Sequence, residues 1–331
     1  MSISADMGNK FLSAEQRCEI ETWLAEPMAR TEWPTWALTA TIYSLWVTMI
    51  LLSPVFGLAI SAVLLVLVSA WHLSLQHELI HGHPTRFTSV NHLLGAPPLS
   101  LWFPMGVYRA SHLRHHNDEW LTLPGIDPES NYVSEANWAR FGPCLRFLYV
   151  ARKTALGRFT LGPGLAIAQT WRVAVSQVLK GQGTALRDWL PHWLAVAALL
   201  WFVDRVSVFG AWQYTLLVAY PALSLAMVRS HYEHRAALIP QHRIVINEAG
   251  AFFRLLFLNN NYHLVHHDLP QLPWYLIPRV YRANRAAYLA RCAGFHLQGY
   301  LSLQRRYACT PTDAALHPSE AALLARAGKS P

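Results

Sequence analysis

The sequence predicts an all-α integral-membrane protein: four transmembrane helices in two hairpins, carrying a histidine-rich cap on the cytoplasmic side. Three observations point there. Hydrophobic residues make up 53% of the 331 and charged residues only 14%, against about a quarter charged in soluble domains. From Trp33 to His77 there is no Asp, Glu, Lys or Arg, a run long enough for two spans of about 20 residues each. Many of the 17 histidines fall in three tight clusters.

Taken in order, residues 1–35 form a lead-in whose "EQRCEIETWLAEP" reads as an amphipathic helix lying on the membrane. Spans follow near 36–52 and 55–75, with Ser53, Pro54 and Gly57 making the tight turn between them. "NHLLGAPPLSLWFPMGVYR" is apolar but interrupted by Pro97, Pro98 and Pro104, so it reads as re-entrant or interfacial. Residues 117–136 are a polar loop. Residues 137–187 alternate apolar and basic residues, as interfacial helices do. A second pair of spans lies near 189–203 and 207–228, with Asp204 and Arg205 at the turn. A short apolar segment, "EAGAFFRLLFLNNNYH", follows. Residues 1–309 read as a single domain. The Ala-rich tail 310–331, with Pro311, Pro318 and Pro331, is expected to be mobile. No signal peptide is visible, because the apolar region starts too late and runs too long.

Basic residues set the orientation. The turns within the pairs hold almost none, whereas the middle segment carries eleven, from Arg86 to Arg187. The positive-inside rule then places both termini and the middle segment in the cytoplasm. The +8 net charge suits anionic headgroups, acyl carriers or an acidic redox partner, although topology alone accounts for it equally well. No nucleic-acid partner is expected. Cys18, Cys144, Cys292 and Cys309 are scattered without a C-x-x-C pair, which argues against a disulfide framework or a rubredoxin-type centre.

The chemistry sits in "HELIH" (His77, His81), "HLRHH" (His112, His115, His116) and "HLVHH" (His263, His266, His267), with His234 in "SHYEHR". On a helix, residues i and i+4 share a face. In His-x-x-His-His the first and fourth residues share a face and the fifth lies about 100° further round. The last two rings can therefore turn towards different metal ions. Nine imidazoles exceed what one tetrahedral zinc takes and suit two metals of higher coordination with open positions. Each cluster abuts a membrane boundary.

In this order the boxes resemble the three-box signature of the integral-membrane fatty-acid desaturase and hydroxylase superfamily. "EHR" at Glu233–Arg235 resembles its additional single-histidine element. The wording of "HGHPTR" and "HLRHHNDEWLTLPGIDPES" is similar to a bacterial branch near the carotenoid ketolases and unassigned desaturases. The resemblance implies a non-haem di-iron centre with O2 as co-substrate, a buried lipid or fatty-acyl chain, and residence in the bacterial inner membrane.

Under that reading Glu78 is no hydrolytic base. It joins Asp118, Glu119, Glu233 and Asp268 as carboxylates that orient imidazoles. Asn259 and Asn261 lie near the third box and suit either an iron-bound water or, more simply, a cap or turn. His83 and His231 stand outside the nine, with His231 ranked first as an extra ligand. His72 lies within the second span. His92, His192, His242, His296 and His317 are ordinary.

The implied reaction is oxidation of an unactivated C–H bond, as desaturation or hydroxylation. Terminal-alkene-forming decarboxylation and carotenoid ketolation or hydroxylation are alternatives on the same ligands. An intramembrane zinc protease using His77, Glu78 and His81 is remote, because no carboxylate lies in any span. Electrons must come from a separate donor such as ferredoxin. Arg109, Arg114, Arg146, Arg152 and Lys153 form its candidate dock, or else a site for lipid phosphate.

Overall fold

The computed structural model describes residues 12–326, and they are mostly helical. The charge-free run forms α3 (Trp33–Ile80), preceded by α1 (Ala14–Leu24) and α2 (Pro27–Thr31). Gly57 breaks α3 with φ 77° and ψ 168°, a region open essentially to glycine alone. The break reverses the chain. Tyr43 Oη lies 3.1 Å from His72 Nε2, and His83 Nδ1 lies 2.8 Å from Glu32 Oε1. Both pairs are centred on the break. In a straight helix, Tyr43 and His72 would stand about 43 Å apart at about 1.5 Å per residue. The turn thus falls at Gly57 alone, and Ser53 and Pro54 remain helical. Pro54 offers no N–H to the carbonyl of Ile50; Ser53 Oγ donates to that oxygen instead, at 2.7 Å.

The irregular segment after α4 (Thr88–Gly95) lies deep among the helices, where every carbonyl needs a donor. The helices supply them. Tyr43 Oη donates to Leu94 O. Gln76 Nε2 donates to Gly95 O at 2.7 Å, Tyr214 Oη to Leu99 O at 2.8 Å and His192 Nε2 to Leu101 O at 2.8 Å. The segment then enters α5 (Met105–His115). Short helices α6 (Glu135–Arg140), α7 (Pro143–Ala151) and α8 (Ala155–Thr160) lead to α9 (Gly162–Leu179), which exposes Trp171, Val173, Val175, Val178 and Leu179.

α10 (Thr184–Val206) and α11 (Ala211–Ser230) follow. Their connecting turn abuts the first: Val208 N donates to Ser53 Oγ at 3.1 Å. α11 carries a π turn at Thr215–Ala219, just before Pro221. Such turns disturb the carbonyl ladder, and Ala219 O accepts from Trp102 Nε1 at 3.0 Å. One apolar core joins both arms of α3 with α10, α11 and the 99–105 segment, through Ile42, Trp46, Leu65, Val203 and Tyr214. α3 and α11 are long and apolar enough to cross a membrane. Val55, Ile60, Val63, Leu194, Trp201 and Trp212 point outward from the helices.

Beyond α11 the chain builds a cap from α12 (Ala251–Leu256), α13 (His263–Asp268), α14 (Ile277–Ala283), α15 (Arg285–Arg291) and α16 (Leu301–Arg306). Strands β1 (Ile246–Asn247) and β2 (His296–Leu297) pair in parallel within it. Two expectations are corrected here. α1 buries Ile20 and Trp23 against the cap's Leu264, Val265 and Ile277, so it packs on protein. The described part of the tail is pinned: Thr312 N donates to Lys153 O at 3.0 Å, Val133 N donates to Ala315 O at 2.9 Å, and His317 is 1% exposed. Buried Ala315 and His317 give the segment packing that its Ala-rich composition concealed.

Candidate metal centre

The nine predicted histidines converge into two groups. One holds His77, His81, His112, His116 and His266; the other holds His115, His234, His263 and His267. Within each group the ligand-capable atoms all lie within 4.8 Å of one another. Local helix geometry explains the partition. Each box contributes a pair at i and i+4: His77 with His81, His112 with His116, and His263 with His267. The fourth residue of each His-x-x-His-His box crosses to the other group, His115 one way and His266 the other. This corrects the expected pairing of first with fourth, since i+4 is offset by only about 40° round a helix and i+3 by about 60°. The last two rings of each box do face different groups. His234 sits beyond α11, fixed by an antiparallel bridge to Ile244.

The donors fit a cation. His112 and His81 meet Nε2 to Nε2 at 3.0 Å, His116 and His112 at 3.1 Å, and His266 and His116 at 3.0 Å. In the second group His115 and His234 meet at 3.0 Å, His263 and His234 at 3.0 Å, and His267 and His263 at 3.2 Å. Burial, reinforced by the neighbouring rings, holds His81, His116, His263 and His266 well below the usual imidazole pKa. In the five-histidine group, neutral rings packed nitrogen to nitrogen turn lone pairs together, and a shared cation relieves this. A metal–nitrogen bond of about 2.1 Å puts donors about 3.0 Å apart at right angles and about 3.4 Å apart in a tetrahedron. The observed spacings of 3.0–3.2 Å let the rings of each pair reach one cation.

The far sides of the rings are held as metal-binding imidazoles usually are. His112 Nδ1 donates to Glu129 Oε1 at 3.1 Å and His115 Nδ1 to Asp127 Oδ1 at 2.9 Å. Burial opposes protonation of His115, but Glu129 and the Asp127 bond outweigh it and push its pKa up to about 9. Burial also works against the Glu129 carboxylate, yet His112 and His115 pull its pKa down to about 2. Asn260 donates to His77 Nε2 at 3.1 Å and accepts from His263 Nδ1 at 3.0 Å. Asp127, Glu129 and Asn260 were not predicted. The signal for the first two was their place in the polar loop that follows the second box. For Asn260 it was the Asn259–Asn261 triplet.

Of the predicted supporting residues, Glu233 lies beside one of the nine rings, 3.4 Å from His263 Nδ1, with Arg229 at 2.7 Å on the same oxygen. Glu78 instead accepts from Trp274 N at 2.8 Å and lies 4.0 Å from His83. His83 belongs to that pair and to Glu32, so it joins neither group. His231 also joins neither group. Glu119 is exposed and lends only its carbonyl oxygen, to Arg243. Asp268 pairs with Arg291. Asn259 bridges Arg254 and Trp274 O, and Asn261 reaches Asn247 O. The side chain of Asp118 lies outside the described residues. The histidines read as ordinary include His192, His296 and His317, which bond to Leu101 O, Glu248 and Thr122. Arg152 and Lys153 are buried, so of the five cations proposed for a docking surface only Arg109, Arg114 and Arg146 remain at least partly exposed.

Apolar helices capped by two clusters of imidazoles define a helical protein with a polyhistidine site able to hold metal. The family model for fatty acid desaturases matches residues 52–299, well over half of the chain, and includes all nine clustered histidines. The chain belongs to the fatty acid desaturase family. The family is one of oxidoreductases acting on lipid or acyl substrates in a membrane context. No curated protein matches the chain.

Proposed function

We propose that the protein is an O2-dependent non-haem di-iron oxidase that desaturates or hydroxylates a lipid acyl chain. The convergence of nine imidazoles into groups of five and four supports this above all. Two irons, when bound, would supply the redox chemistry that couples O2 reduction to C–H oxidation. His77, His81, His112, His116 and His266 would hold one; His115, His234, His263 and His267 the other. Desaturation balances as two hydrogens from adjacent carbons, O2, two electrons and two protons giving a double bond and two waters. The electrons come from an external ferredoxin-like donor.

The chain's own residues set the conditions. Asp127 and Glu129 fix the tautomers of His115 and His112, and Asn260 that of His263. Burial of the rings keeps water from the site. The reading includes four membrane spans in two hairpins: the two arms of α3, then α10 and α11. Both hairpin turns lie at one end and the histidines at the other, which suits a bacterial inner-membrane protein with cytoplasmic termini. Glu78, engaged with Trp274 and His83, is not placed to act as a hydrolytic base beside His77 and His81.

The test is expression of the wild type and His266→Ala with a donor system, followed by gas chromatography–mass spectrometry of lipid extracts and headspace. A new unsaturated or hydroxylated acyl chain from the wild type alone is expected. Purified protein should carry two irons per chain. One zinc and no iron would reject the reading.

A further inference from the structure

A cavity of about 400 Å³ lies beside the four-histidine group, with His234 in its wall. Its volume is in the range of ligand sites. Five cations line it, Arg152, Lys153, Arg158, Arg235 and Arg306, against one carboxylate, Asp313. Arg306 and Asp313 come from beyond the family-matched residues.

The charges are poorly matched. Lys153 takes Asp313, at 2.7 Å. Arg152 Nη2 reaches only Asn131 O, at 2.9 Å, and Arg158 uses Asn131 Oδ1 at 2.8 Å and Ser230 Oγ at 2.9 Å. Neither guanidinium pairs with a carboxylate among the described residues, though both are 8% exposed. Five buried polar atoms of this lining have no hydrogen-bond partner among the described residues: Arg152 Nε, Arg158 Nε, His231 Nε2, Tyr232 Oη and His234 Nδ1. Burial, and then the neighbouring Arg152, push the Arg158 pKa down to about 9. Glu233 attracts Arg158 only from a distance and is itself engaged by Arg229 at 2.7 Å; buried cations without a directly bonded counter-charge are costly, and an anion delivered to the cavity would lower that cost.

We infer that this cavity binds one oxyanion, a carboxylate or phosphate group, through Arg152, Arg158 and His231. Guanidinium forks match the geometry of both groups. Asp313 is the internal competitor, holding Lys153 until the ligand arrives. The site does not depend on the reaction at the histidines. For an acyl substrate, and resting on the reading above, the oxyanion is the charged head of the chain, bound beside His234. The other source is free phosphate.

Equilibrium dialysis of the full-length protein in detergent tests this with laurate, dodecyl phosphate, inorganic phosphate and uncharged dodecanol. At least one anionic amphiphile, or inorganic phosphate, should bind at least about tenfold more tightly than dodecanol. Arg158→Gln should abolish that preference at unchanged metal content. Asp313→Asn should tighten anion binding several-fold and leave dodecanol unaffected, which a purely structural role for the cluster would not produce. Tighter binding of laurate or dodecyl phosphate than of inorganic phosphate assigns the site to an amphiphile head. Equal binding of both phosphates assigns it to free phosphate. The inference is overturned if anions and dodecanol bind alike, or if the preference survives in both Arg152→Gln and Arg158→Gln. Should Arg158→Gln fail to fold, unchanged anion affinity in Asp313→Asn overturns it alone. No turnover is read, so failure of the proposed reaction and failure of this site are separate results.

Discussion

Asn260 couples the two halves of the centre: its amide donates to His77 in the five-histidine group and accepts from His263 in the four-histidine group. Hydrogen bonds from the far N–H of a metal-binding imidazole typically matter by 10–100-fold in affinity or activity. Only His263 makes such a bond to Asn260, so Asn260→Ala should lower chiefly the iron retained against a chelator by the four-histidine group. Metal analysis after graded chelation measures it. Equal loss from both sites would show that the amide supports His77 as well.

Asp127 aligns His115 and also accepts from Thr122 N at 2.8 Å and Glu129 N at 2.9 Å. Asp127→Asn keeps the shape but offers His115 the wrong partner. It should cut turnover by about 10–100-fold, with metal loss confined to the four-histidine group. Glu129→Gln should act on both groups, through its bond to His112 and its charge 4.0 Å from His115. Iron stoichiometry and turnover of the two variants, side by side, check this.

The histidine clusters were legible in the sequence because i, i+4 spacing is a local property. His77 and His81 declare a shared face without knowledge of the fold, whereas in the two His-x-x-His-His boxes the first ring pairs with the fifth and not, as expected, with the fourth. The supporting groups were legible only in part: Glu233 was singled out, but Asp127 reaches His115 because the loop turns back through Pro124 and Gly125. In the Asn259–Asn261 triplet, positive φ values at Leu258 and Asn259 (49° and 57°) set the turn that leaves Asn260 facing the rings. His231 ranked as an extra ligand from its nearness to His234; the end of α11 sends it into the cationic cavity instead. The paired spans were visible in the charge-free runs, but the exact turn required backbone angles.

His83→Ala should leave two irons per chain, because His83 belongs to neither histidine group. It should still destabilise the fold. His83 lies between Glu32 and Glu78, both buried, and its removal strands two carboxylates. Breaking a buried pair in this way costs about 3–5 kcal/mol. A lower melting temperature with unchanged iron is the expected result. His81→Ala should lose iron.

Gly57→Ala tests the hairpin. A Cβ there meets no atom within 4 Å, so the only penalty is the backbone conformation at φ 77°. That amounts to about 1–3 kcal/mol. The variant should melt earlier in detergent, with iron content unchanged in the folded fraction. A wild-type melting curve would indicate that Gly57 is not the pivot.

The last prediction concerns pH. Burial pushes the Lys153 pKa down to about 8, against the pull of Asp313, with Arg152 and Arg158 adding to the fall. Tyr132 and Asp313 face its ammonium directly, and the His231 and His317 rings lie close enough to feel its charge. Because the folded pKa lies below the free lysine value of 10.5, the cavity carries this charge below about pH 8 and loses it above. Oxyanion binding should therefore weaken as pH rises from 7 to 9, while Arg152 and Arg158 keep part of the attraction. The fold should gain relative stability over the interval from about 8 to 10.5, where only the unfolded lysine still holds its proton. Lys153→Met should flatten the fall in laurate binding between pH 7 and 8, below the range in which Arg158 loses its own charge, measured by dialysis at constant ionic strength. A slope that persists in Lys153→Met would assign the titration to another group.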